Sequence, residues 1–238
     1  MVKLSKLEEQ YQELGVAPFE DMKPRIIETV IAIKNQSEEG NSESSGFIIS
    51  KDGYAVTCAH CVKNVQKLTV RVRLVHRGKN IDLNYDAEVV AVDAPNDVAV
   101  IKLLTDEEFE FVAMAPIGVK DLAPLSKVYL LGYPFGVSRF DKMSINEGKV
   151  ASYQRNNPNG RPDAINLDIS AKSGNSGSCV IDGATGQVIG VLCGSELSQS
   201  GSLTEEVNYC RPISFVWDLI KANQSNETED LINLMFAD

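Results

Sequence analysis

Histidine is scarce in this chain: among 238 residues there are two, His60 and His76. No apolar run approaches the ~20 residues that cross a bilayer as a helix. The first ten residues carry charge where a secretory leader would need an apolar stretch. Positive charge is also short, with 23 Lys and Arg against 33 Asp and Glu and a net charge of −10. That balance disfavours nucleic acid and anionic membrane surfaces as partners. Cysteine is sparse and odd in number, five at positions 58, 61, 179, 193 and 210, so at least one thiol has no partner within the monomer. These absences lead to the expectation of a soluble, cytoplasmic protein with no nucleic-acid and no membrane partner.

What is present centres on Ala171-Lys172-Ser173-Gly174-Asn175-Ser176-Gly177-Ser178. Glycines on either side of Asn175-Ser176 permit turns closed to other residues, so the loop can expose one hydroxyl and aim backbone N–H groups inward. Ser176 is therefore the candidate nucleophile. A serine hydroxyl needs a base to take its proton and a third group to orient that base. His60 is the candidate base; His76, at a strand end, reads as structural. Both histidines precede Ser176, which excludes the Ser-first order of α/β-hydrolases, and the loop lacks the second glycine of G-x-S-x-G. Asp97 leads into the apolar run Val98-Ala99-Val100-Ile101 and is preferred as the orienting acid over Asp93. An aspartate before His60, Asp21 or Asp52, stays formally open.

The body of the chain reads as short β-rich runs divided by turn residues. Leu68, Val70, Val72 and Leu74 alternate with polar neighbours, and further strands are expected at 26–33, 47–49, 54–57, 88–92, 98–103, 128–131, 148–153, 164–169, 178–181 and 188–193. Residues 37–45, rich in Ser, Glu, Asn and Gly, read as a loop. This spacing suits two antiparallel barrels rather than alternating βαβ units. Leu4, Leu7, Tyr11 and Leu14 mark an amphipathic helix expected to dock on the body and to end at Gly15, Pro18 and Pro24. Helices are also expected at 215–220 and, separately, at 227–236.

Thr57-Cys58-Ala59-His60, Asn96-Asp97-Val98-Ala99-Val100 and Gly174-Asn175-Ser176-Gly177, in that order, resemble the chymotrypsin-like serine peptidases, most closely the protease domain of the Deg/HtrA type. Each motif is weak alone, but the ordered set, with Ser45-Gly46-Phe47 and Gln187–Gly190 in support, is strong. The resemblance spans roughly residues 25–220 and implies an all-β fold of two antiparallel six-stranded β-barrels with the active site between them. The expected division is 1–24, an N-terminal helical extension; 25–119, a first barrel with His60 and Asp97; 120–213, a second barrel with Ser176; and 214–238, C-terminal helices. Lys120–Leu125 is the expected connection.

The resemblance implies a serine endopeptidase that cuts protein or peptide substrates through an acyl-enzyme, with Gly174 and Ser176 N–H as the oxyanion hole and no cofactor. It places the pocket for the residue before the cut near Ser170, Cys193, Gly194, Ser195 and Val207; none is acidic, which disfavours Arg or Lys there. Secreted members often bridge the cysteine after the histidine to one upstream, and nothing before Cys58 is a cysteine, which favours a reducing compartment. Cys58-Ala59-His60-Cys61 invites a zinc reading, but no second CxxC or HxxxH completes it, so no metal is expected. The chain departs from the family at Ser176-Gly177-Ser178-Cys179, where Ser-Gly-Gly-Pro is usual. Two other readings stay open: a latent protease released by a regulatory protein partner, and a protease-fold binding module with a misaligned site.

Overall fold

A computed structural model describes residues 3–76, 79–116, 122–135, 142–156, 160–200 and 203–235. Six antiparallel strands close the first barrel: β1 (Val30–Ser37), β2 (Gly40–Ile48), β3 (Tyr54–Thr57), β4 (Lys67–His76), β5 (Lys79–Asp93) and β6 (Val98–Leu103), in the order β1-β2-β3-β6-β5-β4. Six more close the second: β7 (Lys127–Gly132), β8 (Ser144–Gln154), β9 (Ala164–Asp168), β10 (Cys179–Asp182), β11 (Val188–Ser200) and β12 (Leu203–Pro212), in the order β10-β11-β12-β9-β8-β7.

Side chains alternate across a strand, and here both faces of several strands are dry. On β1, Ile31 and Ile33 fill the first barrel while Val30 and Ala32 join a core shared between the barrels. On β7, Val128 and Leu130 fill the second barrel while Tyr129 and Leu131 face that shared core. Double burial explains why these segments read as continuous apolar runs rather than alternating ones.

The elements differ from expectation in three places, at the second helix, β2 and the C-terminal helix, while the first helix is as expected. α1 (Leu4–Leu14) buries Leu7 and ends at Gly15, whose φ of 73° and N–H bond to Tyr11 O close the last turn. The segment expected as a first strand from Ile26 is instead helical: α2 (Phe19–Thr29) continues through Pro24, and the strand begins only at Val30. Packing decides this, since Phe19 stacks on Tyr129 at 3.9 Å and Ile26 is buried, outweighing the β preference of Ile26-Ile27. Residues expected as a loop, 40–45, lie in β2, where pairing with β1 from Ser37↔Gly40 to Val30↔Phe47 overrides their polar composition.

The two C-terminal helices are one, α3 (Ser214–Met235); nothing between those residues is Gly or Pro. Phe236 of the separate helix expected there lies outside the described residues. Trp217 Nε1–H donates to Ala115 O at 2.8 Å and pins α3 to the connection between barrels. That connection reaches the second barrel early, through Ala115 N–H to Val188 O and Val188 N–H to Ala113 O. Of the expected link at 120–125, residues 120 and 121 lie outside the described residues.

Asn35 on β1 donates to Cys61 O at 3.2 Å and Lys63 O at 3.0 Å, holding the segment that carries His60. Replacing Asn35 by Ala strands two carbonyls in a mostly buried spot. The expected loss is about 1–3 kcal/mol of stability, read as a lower denaturant midpoint with unchanged slope.

Candidate active site

β3 runs through Cys58 into one turn of 3-10 helix, Ala59–Val62, which carries His60 at the cleft with its side chain 48% exposed. Asp97 closes the turn between β5 and β6 in the left-handed region at φ 53°, a conformation that Asp tolerates better than most residues. There its carboxylate accepts from the His60 backbone N–H at 2.9 Å and lies 2.8 and 3.0 Å from His60 Nδ1. Asp93 does other work, accepting from Asn96 N–H and Nδ2 in the same turn. Asp52 pairs with Lys6 in the β2–β3 turn, and Asp21 lies in the first turn of α2. Among the described residues His60 thus has one carboxylate partner, Asp97.

The other face of the ring meets sulfur: Cys61 Sγ lies 3.5 Å from His60 Nε2. The Asp97 carboxylate first, and then the Cys61 sulfur, push the imidazolium up to about 10. Burial raises the Asp97 carboxyl, but the His60 ring and backbone N–H outweigh it and hold it below the usual carboxylate range. Cys61 is held well below an ordinary thiol by Cys58 and, against burial, by His60. Burial and two thiol neighbours raise Cys58 well above one.

The serine loop follows β9 and leads into β10. Five consecutive carbonyls are engaged: Lys172 O by Asn175 N–H, Ser173 O by Phe135 N–H, Gly174 O by Ser45 Oγ–H, Asn175 O by Ser178 N–H and Ser176 O by Ser45 N–H. No acceptor among the described residues takes Gly174 N–H or Ser176 N–H. Because a trans peptide points its C=O and N–H to opposite sides, the bond from Phe135 to Ser173 O aims Gly174 N–H away from Phe135. Gly177 is required at φ 86°: a Cβ there would lie 2.1 Å from Ser45 O and 2.3 Å from Thr57 Oγ1. Asn175 is fully buried and shapes the loop through its main chain.

Ser176 Oγ donates to Cys193 O at 3.4 Å and not to His60 Nε2. Cys193 is the extra residue of a β-bulge between Leu192↔Cys210 and Gly194↔Tyr209, which turns its carbonyl toward the serine. The other expected pocket residues sit on neighbouring strands: Gly194 and Ser195 on β11, Val207 on β12, and Ser170 just past β9, its carbonyl accepting from Asn146 Nδ2. A Cβ at Gly194 would meet nothing within 4 Å, so open space borders that strand. His76 lies at the far end of β4, paired with Lys79. A cavity of about 550 Å³ lies elsewhere, between α1 and α3, lined by Leu4, Tyr11, Met114 and Trp217.

Residues 44–191 match the family model of the trypsin-like peptidase domain. The chain belongs to that family. Among its relatives is the serine endoprotease DegS of Haemophilus influenzae, 28% identical over 191 residues, covering 79% of this chain and 52% of that protein. Serine protease HTRA4 of Mus musculus is 32% identical over 156 residues, 63% of this chain and 29% of that one. The chain thus spans about half, or less, of the relatives it matches. The crystal structure of Deg5 superposes with a TM-score of 0.65 at 24% identity, covering 89% of this chain and 93% of that one, and shows the shared two-barrel fold.

Ser45 was not singled out for the site by sequence reasoning, beyond its place in Ser45-Gly46-Phe47. Its hydroxyl donates to Gly174 O and accepts from Tyr133 N–H, both at 2.8 Å. Replacing Ser45 by Ala removes the partner of a buried donor, Tyr133 N–H, and of a part-buried acceptor, Gly174 O. A loss of about 1–3 kcal/mol is expected, together with faster amide exchange in the serine loop, measured by native-state hydrogen exchange.

Proposed function

We propose that this chain is a serine endopeptidase domain acting on protein or peptide chains, with Ser176 as nucleophile, His60 as base and Asp97 as the group that orients it. The observation that carries this reading is the serine loop: five committed carbonyls and two uncommitted N–H groups, beside a histidine whose Nδ1 already faces a carboxylate. In the reaction Ser176 Oγ attacks the scissile carbonyl as His60 Nε2 takes its proton. Gly174 and Ser176 N–H receive the negative oxygen, and His60 returns the proton to the leaving amine. Water then repeats the sequence on the acyl-enzyme. The pocket bounded by Ser170, Cys193, Gly194, Ser195 and Val207 has no carboxylate and suits a small or medium apolar side chain.

The resting arrangement supports latency. Nε2 faces Cys61 and Ser176 faces Cys193 O, so the proton transfer needs the His60 ring or the serine to turn, and needs the ring that Asp97 and Cys61 hold protonated to give up that proton first. A substrate or a regulatory partner that turns either one completes the triad. Five unpaired thiols suit a reducing compartment such as the cytoplasm. A pure binding module is the weaker reading, since binding alone has no use for a His–Asp pair beside uncommitted N–H donors.

Intact-mass analysis after treatment with a fluorophosphonate tests the reading. One adduct on metal-free wild type, none on Ser176→Ala or His60→Ala, and a rate roughly 10⁴-fold lower for Asp97→Asn are expected. Persistent absence of an adduct on folded wild type, with denatured protein substrate also left uncut, counts for the binding module. Latency through Cys61 predicts faster labelling of Cys61→Ala than of wild type; an equal or slower rate contradicts it.

A further inference from the structure

Cys58 Sγ, Cys61 Sγ and a ring nitrogen of His60 all lie within 4.8 Å of one another, on one four-residue segment. Zinc–sulfur bonds of about 2.3 Å and zinc–nitrogen bonds of about 2.0 Å in a tetrahedron imply ligand separations of roughly 3.5–3.8 Å. The Cys61–His60 pair already stands at 3.5 Å. Thiolate and imidazole favour zinc over magnesium or calcium. The other ring nitrogen is held by Asp97 at 2.8 Å, the carboxylate–histidine arrangement that orients metal-binding imidazoles. The two sulfurs are buried and the imidazole is half exposed, which leaves one side of the trio open to water.

We propose that Cys58, His60 and Cys61 form a zinc site with water as fourth ligand, and that zinc there is a reversible inhibitor. The missing second ligand pair, which argued against zinc in the sequence, is not needed when one short segment supplies three ligands and the fourth position is water. Binding forms two Zn–S bonds and one Zn–N bond, releases to solvent the protons held by the thiols and by the imidazole nitrogen, and changes no oxidation state. It also takes the nitrogen that must accept the Ser176 proton. Inhibition therefore rests on the proposed role of His60, whereas binding does not.

The test separates the two. Cobalt(II) titrated into the metal-free 238-residue protein is expected to give thiolate-to-cobalt charge-transfer absorption at one equivalent, abolished by excess zinc and untouched by millimolar magnesium. Cys58→Ser and Cys61→Ser, checked for folding by circular dichroism, lose that absorption; Cys193→Ser and Ser176→Ala keep it. Absent absorption in wild type, or absorption that survives in folded Cys58→Ser and Cys61→Ser, overturns the site. Given the site, zinc at about ten times its dissociation constant slows fluorophosphonate labelling about tenfold, and a chelator restores it. Unchanged labelling at saturating zinc overturns inhibition while leaving the site. A protein that binds cobalt yet never labels speaks against the peptidase reading instead.

Discussion

Every polar atom of Ser45 is spent at the junction between barrels. Its N–H holds Ser176 O, its hydroxyl holds Gly174 O and receives Tyr133 N–H, and its carbonyl receives the Thr57 hydroxyl. Thr57 ends β3, the strand that delivers His60, and Tyr133 follows β7, whose next turn supplies Phe135. One residue of the first barrel thus ties the histidine strand, the serine loop and the wall behind that loop into one bonded unit. A glycine at 177 is the condition for this approach, because any side chain there would strike Ser45 O.

The consequence is an asymmetric site. In the proposed reaction the half that would receive negative charge is built in advance, with carbonyls tied back and N–H groups left over, which is where preorganisation is worth most. The half that moves a proton is not yet aligned. His60 is gripped on one side by Asp97 and faced on the other by Cys61; Cys58 is close to the ring as well, and Cys193 lies 3.7 Å from the Cys58 sulfur. Cysteine has no part in the proposed reaction, so these side chains are the natural place to look for control of the proposed base.

Much of this was legible in the sequence. The order of His60, Asp97 and Ser176, the two barrels and most strand centres follow from motif order, turn residues and apolar runs. Three things were hidden for physical reasons. The helical Ile26-Ile27 carries a strand-like pattern that packing of Phe19 on Tyr129 overrides. The polar residues of β2 pair because β1 presents a full ladder to them. Ser45 and Cys61 act through contacts with residues far along the chain or around a ring, and neither type of contact has a periodicity to read. Its place before an apolar run favours Asp97 over Asp93 in the sequence, and the turn adds the reason: the Asp93 carboxylate accepts from Asn96 while that of Asp97 faces the imidazole.

A crystal structure of the fluorophosphonate adduct on Ser176 tests the central claim most directly. The account predicts the phosphoryl oxygen within hydrogen-bond reach of both Gly174 N–H and Ser176 N–H, the serine loop unmoved against Ser45, and His60 Nε2 turned from Cys61 toward the adduct. A phosphoryl oxygen pointing to solvent, with the Ser173–Gly174 peptide reversed, would contradict it.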